Sequence, residues 1–392
     1  MISISINPNF EKDDVDLIRG GSKSGVESLE KKIEKYFLGG KVVIVEKGRD
    51  GMQLLIKALD LKSDDEVLVQ AFTCSVVPMA IMTVGAKVVY VDIDDNYNMD
   101  LVDLKKKITS KTKLVVVQHT FGMPVKMDEL REVVGEKIKI IEDLAHGLGN
   151  EYKEKKLGTW GEAAILSFGR DKVISGVWGG AVLANENVIK KIKKMTENLS
   201  VRDKIWVKGQ VDYVLLMELV MKYYSFGIGK LMHWWAKKDN WFDQPLSKME
   251  KNGKSEKIYK NLPDELVCII DHQWNKLNKY IERRKIIAKK YADALGEEYN
   301  DNCSYLRYSV EVYNPNSLRE FAASKNIFLG DWYNQVISPK SIDPKIFGYK
   351  WGSCPVAEKT SQRIVNLPTN PRLSNQEIDR VISIIKEWKS KK

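Results

Sequence analysis

Cysteine is scarce in this chain: Cys74, Cys268, Cys303 and Cys354 are the four among 392 residues, and no two form a C-x-x-C pair. That spacing argues against a structural zinc site and a disulfide framework, so no metal is expected and a reducing compartment fits. The opening MISISINPNFEKDD has no apolar core of the signal-peptide kind, which makes cytoplasmic the expected location. No uninterrupted apolar run reaches bilayer-spanning length. Arginine-rich blocks, nucleic-acid motifs, internal repeats and low-complexity tracts are also missing, and nucleic acid is not an expected partner.

What is present is a long, lysine-rich globular chain. At 43% hydrophobic and 30% charged residues the composition is ordinary, which excludes disordered and collagen-like classes. The length fits a large domain with a smaller one. A net charge of +10, spread along the chain, suits a solvated surface and also anionic substrates or an anionic membrane surface.

Taken in order, residues 26–37 read as an amphipathic helix and 42–45 as a buried strand. Between that strand and a helix at 52–59 lies the turn Gly48-Arg49-Asp50-Gly51. Such a joint presents backbone N–H groups at a helix N-terminus, suited to a phosphate, and the Arg49 guanidinium could grip one bidentately. Strands at 66–70, 87–91, 114–118 and 138–141 then alternate with helices at 75–84, 101–108 and 127–134. This alternation predicts βαβ units and an α/β fold with a mostly parallel sheet. Ligands bind beyond the carboxyl ends of such strands, where Gly48, Phe72, His119 and Asp143 fall.

From 200 to 255 the pattern breaks. Residues 211–235 are rich in Leu, Met and aromatics but interrupted by Asp212, Glu218, Lys222 and Lys230. Two readings stand open: a helical insertion packed on protein, or a helix lying in a membrane interface, giving peripheral contact at the inner face of the membrane through 211–238. The polar stretch after it reads as a linker. A long helix is expected at 262–295, followed by a smaller α+β part with a strand in 305–313 and helices at 318–324 and 375–388. The expected division is 1–260 for the large domain, with its insertion at about 200–255, and 261–392 for the linking helix and small domain.

The chemistry concentrates between residues 137 and 183. Three short apolar runs, 138–141, 163–168 and 180–183, are punctuated by Asp143, His146, Ser167 and Lys172. An acid after one strand and a lysine in the loop after another is an arrangement a pyridoxal phosphate site uses. The lysine forms the Schiff base and the acid pairs with the pyridinium nitrogen.

Four stretches carry a resemblance: DDEVLVQAFTCSVVPMAIMTVGAKVVYVDID, VVVQHTFGMPVKMDEL, IIEDLAHGLGNEYKEKKLGTWGEAAILSFGRDK and CPVAEKTSQRIVNLPTNPRLS. They resemble the DegT/DnrJ/EryC1/StrS sugar aminotransferases, fold-type I pyridoxal phosphate enzymes, over roughly 25–195 and 260–392, with 200–255 outside. The resemblance implies that Lys172 is catalytic and that Asp143 protonates the ring nitrogen. It places His146 near the cofactor's 3-hydroxyl, and Ser167 with Gly48, Arg49 and Asp50 on the phosphate. His119 would line the substrate side. Where relatives stack an aromatic ring on the cofactor this chain has Cys74, with Phe72 as the alternative. Where their asparagine reaches the neighbouring subunit's phosphate it has Lys260 and Asn261. A homodimer is implied, moving an amino group from an amino acid, glutamate above all, to a nucleotide-linked keto sugar for surface glycans. The alternatives are a non-nucleotide ketone such as a cyclitol, or a membrane-associated relative without turnover. Sugar dehydratases of the family replace the lysine with histidine, and Lys172 argues against that branch.

Overall fold

The computed structural model describes residues 1–391 except 7, 8, 22, 23, 239–245 and 256–258. Its centre is a seven-stranded sheet. In chain order the strands are β1 (Lys41–Val45), β2 (Glu66–Gln70), β3 (Lys87–Val91), β4 (Thr112–Gln118), β5 (Lys139–Asp143), β6 (Ala163–Ser167) and β7 (Gly180–Ala184). In space they run β1-β7-β6-β5-β4-β2-β3, with β7 antiparallel to both neighbours and the other pairings parallel. This is the mostly parallel α/β sheet that the alternation predicts.

Both faces of the sheet are covered, so its strands are apolar on both sides. Val115, Val117, Ala164 and Leu166 point into one buried cluster with the helices Val26–Phe37 and Met127–Val134. Leu114, Val116, Ala163 and Ile165 point into the other, with α1 (Gly48–Ala58) and the helix Val76–Met82. A third cluster gathers the C-terminal part. There the small antiparallel pair β8 (Tyr308–Glu311) and β9 (Ile364–Leu367) packs with Leu318, Ala322, Ile378, Val381 and Ile385.

Two predicted long helices are each broken in two. The 211–235 helix is α2 (Lys204–Tyr223) and α3 (Ile228–Lys238), folded back on each other at Gly227, whose φ of 82° takes the left-handed region. The 262–295 helix is α4 (Asp264–Trp274) and α5 (Leu277–Leu295), separated at Asn275 and Lys276. Apolar spacing runs through that joint without a glycine or proline to betray it. The expected linker holds a short helix, Lys248–Lys251, while 239–245 lie outside the described residues. The closing helix α6 (Asn375–Ser390) starts at a reciprocal cap between Ser374 and Glu377.

Candidate active site

A cavity of about 610 Å³ opens at the carboxyl ends of the parallel strands, within the range of roughly 300–1,000 Å³ typical of small-molecule sites. It is lined by Gly48 and Arg49 after β1, Gln118 from β4, Asp143 from β5, Ser167 from β6, and Gly169 through Lys172 in the loop that follows. Because β7 is antiparallel, its entry, Val177 to Gly179, reaches the same edge. The remaining wall comes from far along the chain: Trp332, Tyr333, Ser338, Pro339 and Ser341.

Register explains which side chains face inward. Gln118 pairs with Asp143 across β4 and β5, and both line the cavity. One residue along, side chains turn to the opposite face. His119 and Glu142 therefore meet in the interior, Nε2 to Oε2 at 3.3 Å, both fully buried. The Val125 N–H donates to His119 Nδ1 at 3.2 Å. Glu142 also accepts N–H bonds from Gly158, Trp160 and Gly161 at 2.7–2.8 Å. His119, expected on the substrate side, is instead a structural residue that ties the back of the sheet to the 158–161 turn.

Asp143 is 7% exposed and accepts from the Ala145 N–H at 2.9 Å. Burial raises its pKa, opposed by that N–H and by the charge of Lys172. Lys172 sits in a braced loop. Its carbonyl accepts from Asn9 Nδ2 at 2.6 Å, and its ammonium lies 4.9 Å from the Trp332 ring centre. Beside it Asp171 accepts from the buried Arg307 at 3.0 Å, and the Arg307 guanidinium lies 4.4 Å from the other partner of Lys172, the Trp332 ring. His146 is fully buried and stacked between Phe121 and Trp332. Its Nδ1 accepts the Phe121 N–H at 3.3 Å, which leaves the proton on Nε2, facing the Tyr333 hydroxyl at 3.3 Å. Burial first, then Lys172 and Arg307, hold its pKa well below the usual imidazole range. The ring is neutral.

The corner around Gly48 and Ser167 is built from close approach. Helix α1 begins at Gly48, where a Cβ would lie 3.1 Å from the Ser167 Cβ. A Cβ on Gly180 would lie 2.5 Å from the Gly48 nitrogen, so only glycine lets β7 pass this turn. The result sets a serine hydroxyl beside the orphan N–H groups of a helix N-terminus, a donor set that suits a phosphate. Arg49 lines the cavity, but its guanidinium is paired with Glu250. Asp50 lies outside the lining, 8% exposed, with its carboxyl pushed up to about 7 by burial and by the nearby Glu46 and Glu250, against Lys47 and Arg49.

On the opposite wall Cys74 lines the cavity, whereas Phe72 does not. Phe72 is fully buried at a φ of 68° and packs on Tyr97, Phe121 and Tyr333. It does not take the stacking position expected of it. Lys260 and Asn261 also lie outside the lining: Lys260 reaches Ser200, and Asn261 donates to the Leu199 carbonyl at 2.8 Å. The sequence reasoning missed Gln118, Arg170, Trp178, Trp332 and Tyr333. Gln118 was within reach from its register opposite Asp143, and Trp178 from its nearness to Lys172 in the chain; Trp332 and Tyr333 were not, since only tertiary packing brings residue 332 to residue 172.

An amine and a buried acid on one cavity, with a helix N-terminus and a hydroxyl at its edge, fit pyridoxal phosphate. Comparison with known proteins agrees. The chain matches the DegT/DnrJ/EryC1/StrS aminotransferase family over residues 15–223 and 249–386. Helix α2 therefore falls inside the family match, and the segment outside it narrows from the expected 200–255 to 224–248. The chain is 26% identical to GDP-perosamine synthase of Escherichia coli O157:H7, covering 89% of this chain and 85% of that one. It is also 26% identical to the dTDP-3-amino-3,6-dideoxy-alpha-D-galactopyranose transaminase of Aneurinibacillus thermoaerophilus, with 93% and 90% covered. Its fold matches Spr1654 of Streptococcus pneumoniae in the PLP form at a TM-score of 0.76, with 20% identity and 98% of each chain covered. The chain belongs to the DegT/DnrJ/EryC1/StrS family and is a pyridoxal phosphate-dependent sugar aminotransferase.

Proposed function

We propose that the enzyme takes its amino group from an amino acid, glutamate, and delivers it to the keto carbon of a nucleotide-linked sugar. The observation that carries this reading is the charge of the cavity. Lys47, Arg170 and Lys251 line it beside Lys172 and the Glu250-paired Arg49, with Asp171 itself paired to Arg307, cations that favour a diphosphate-bearing substrate. The two curated relatives named above, with their GDP- and dTDP-linked sugars, support the same class.

When bound, pyridoxal phosphate supplies an electron sink for the carbanion at the amino-bearing carbon. Lys172 presents the amine that holds the cofactor and, once released, carries the proton to and from that carbon. Asp143 would keep a proton on the ring nitrogen, and a cation there would offset the burial that raises the carboxyl's own pKa. Ser167 and the Gly48 end of α1 hold the phosphate. The neutral His146, stacked on Trp332, keeps that flank of the site dry and directs its Nε2 proton at Tyr333. Cys74 stands at the wall where relatives place an aromatic ring. The homodimer is part of the proposal, with Lys260 and Asn261 outside their own chain's cavity.

The test is a panel of keto-sugar nucleotides and free cyclitol ketones with glutamate as donor, reading 2-oxoglutarate. Turnover confined to nucleotide-linked ketones is the expected result. Turnover of a free ketone with none on the nucleotides would overturn the substrate class.

A further inference from the structure

Helices α2 and α3 form a hairpin whose outer side is apolar. Between Leu219 and Trp235, the side chains of Leu219, Tyr223, Phe226, Ile228, Leu231, Trp234 and Trp235 are all exposed, from 36% to 78%. In α3 the small or half-buried Gly229, Met232 and Ala236 turn inward, and a Cβ on Gly229 would lie 2.3 Å from the Val220 carbonyl of α2. The inward stripe is thus used up by packing on α2, and Ile228, Leu231 and Trp235 form the stripe left outside. The hairpin is anchored to the body by the Arg372–Glu218 ion pair and by Tyr224 against Phe328.

Charge says what covers this face. From Leu219 to Lys238 the sequence holds four lysines, Lys222, Lys230, Lys237 and Lys238, and no aspartate or glutamate. A protein–protein interface core is depleted in lysine, whereas tryptophan beside lysine is what a helix seated at a lipid headgroup boundary carries. No described helix is long and apolar enough to cross a membrane, so the hairpin would lie in the interface. Its tip also falls in the segment that the family model leaves unmatched.

We propose that the α2–α3 hairpin docks the enzyme on an anionic lipid bilayer, with Phe226, Ile228, Leu231, Trp234 and Trp235 entering the headgroup region and Lys222 and Lys230 meeting the lipid phosphates. The test is co-sedimentation of the full-length protein, loaded with pyridoxal phosphate, with vesicles of phosphatidylcholine alone or with about 30% phosphatidylglycerol. Wild type pellets with the anionic vesicles and far less with the neutral ones. The variant Phe226→Ser/Trp234→Ser/Trp235→Ser binds at least about tenfold more weakly, and Lys222→Gln/Lys230→Gln loses the difference between the two lipids. Retention of the cofactor's visible absorption band in both variants confirms that they are folded. Equal pelleting of wild type and the aromatic variant overturns the proposal. So does an unpelleted wild type whose dimer mass, by light scattering, falls to monomer in that variant: a second copy would then be the occupant.

Discussion

Asp50 and Asp143 are both buried carboxyls within the sheet's catalytic edge, yet they have different fates. Asp143 faces Lys172 across the cavity; Asp143→Ala should lower kcat about 10²- to 10⁴-fold while the cofactor stays bound, measured by 2-oxoglutarate release and retained cofactor absorbance. Loss of less than tenfold would remove it from the chemistry. Asp50 lies behind the phosphate corner with a carboxyl pushed up to about 7. Its folded value is above the ordinary one, so between about pH 4 and 7 the folded chain holds a proton that the unfolded chain has released. That contribution is present at low pH and is lost as pH rises through 7. Asp50→Asn should therefore gain about 3 kcal/mol on wild type between pH 5 and pH 8, read from urea midpoints; a pH-independent difference would contradict it. The same scale shows what a sequence discloses. Asp143 and Lys172 were placed on one cavity, as their positions beyond neighbouring strands predict. His119 was misplaced because one step of strand alternation carries it from the cavity to Glu142.

Elements position these residues, and the loop after β6 depends on supports from three directions. Asn9 holds the Lys172 carbonyl, Arg307 holds Asp171, and Gln210 of α2 accepts from Trp178 at 2.6 Å and from Arg170 at 3.0 Å. Asp171→Ala leaves the Arg307 guanidinium buried without its carboxylate and should cost about 3 kcal/mol, seen as a lower denaturant midpoint with an unchanged slope. Gln210→Ala should raise KM for the sugar substrate several-fold with kcat nearly intact, since it releases Arg170 and Trp178 and touches no reacting atom. A fall in kcat alone would contradict this. The β–α alternation was readable because a sheet buried on both faces makes each strand a short apolar run. The break between α4 and α5 was not, because the apolar spacing continues through Asn275 and Lys276.

At the scale of the whole molecule, the active site joins stretches far apart in the chain. The strand ends and the loops after them supply Gly48, Asp143, Ser167 and Lys172. The C-terminal part closes the cavity through Trp332 and Tyr333, and the short parallel pairing of Ile337–Ser338 with Thr73–Cys74 fastens it to the sheet side. Neither stretch alone lines the whole cavity, and nothing local in the sequence links residue 74 to residue 338. The central claim, that Lys172 is the lysine that binds the cofactor, is open to one direct measurement in a chain with 63 Lys and Arg. The protein is loaded with pyridoxal phosphate, reduced with borohydride, digested and mapped by mass spectrometry. The predicted result is a single pyridoxyl-phosphate adduct on Lys172; an adduct on another lysine, or none, would contradict the assignment.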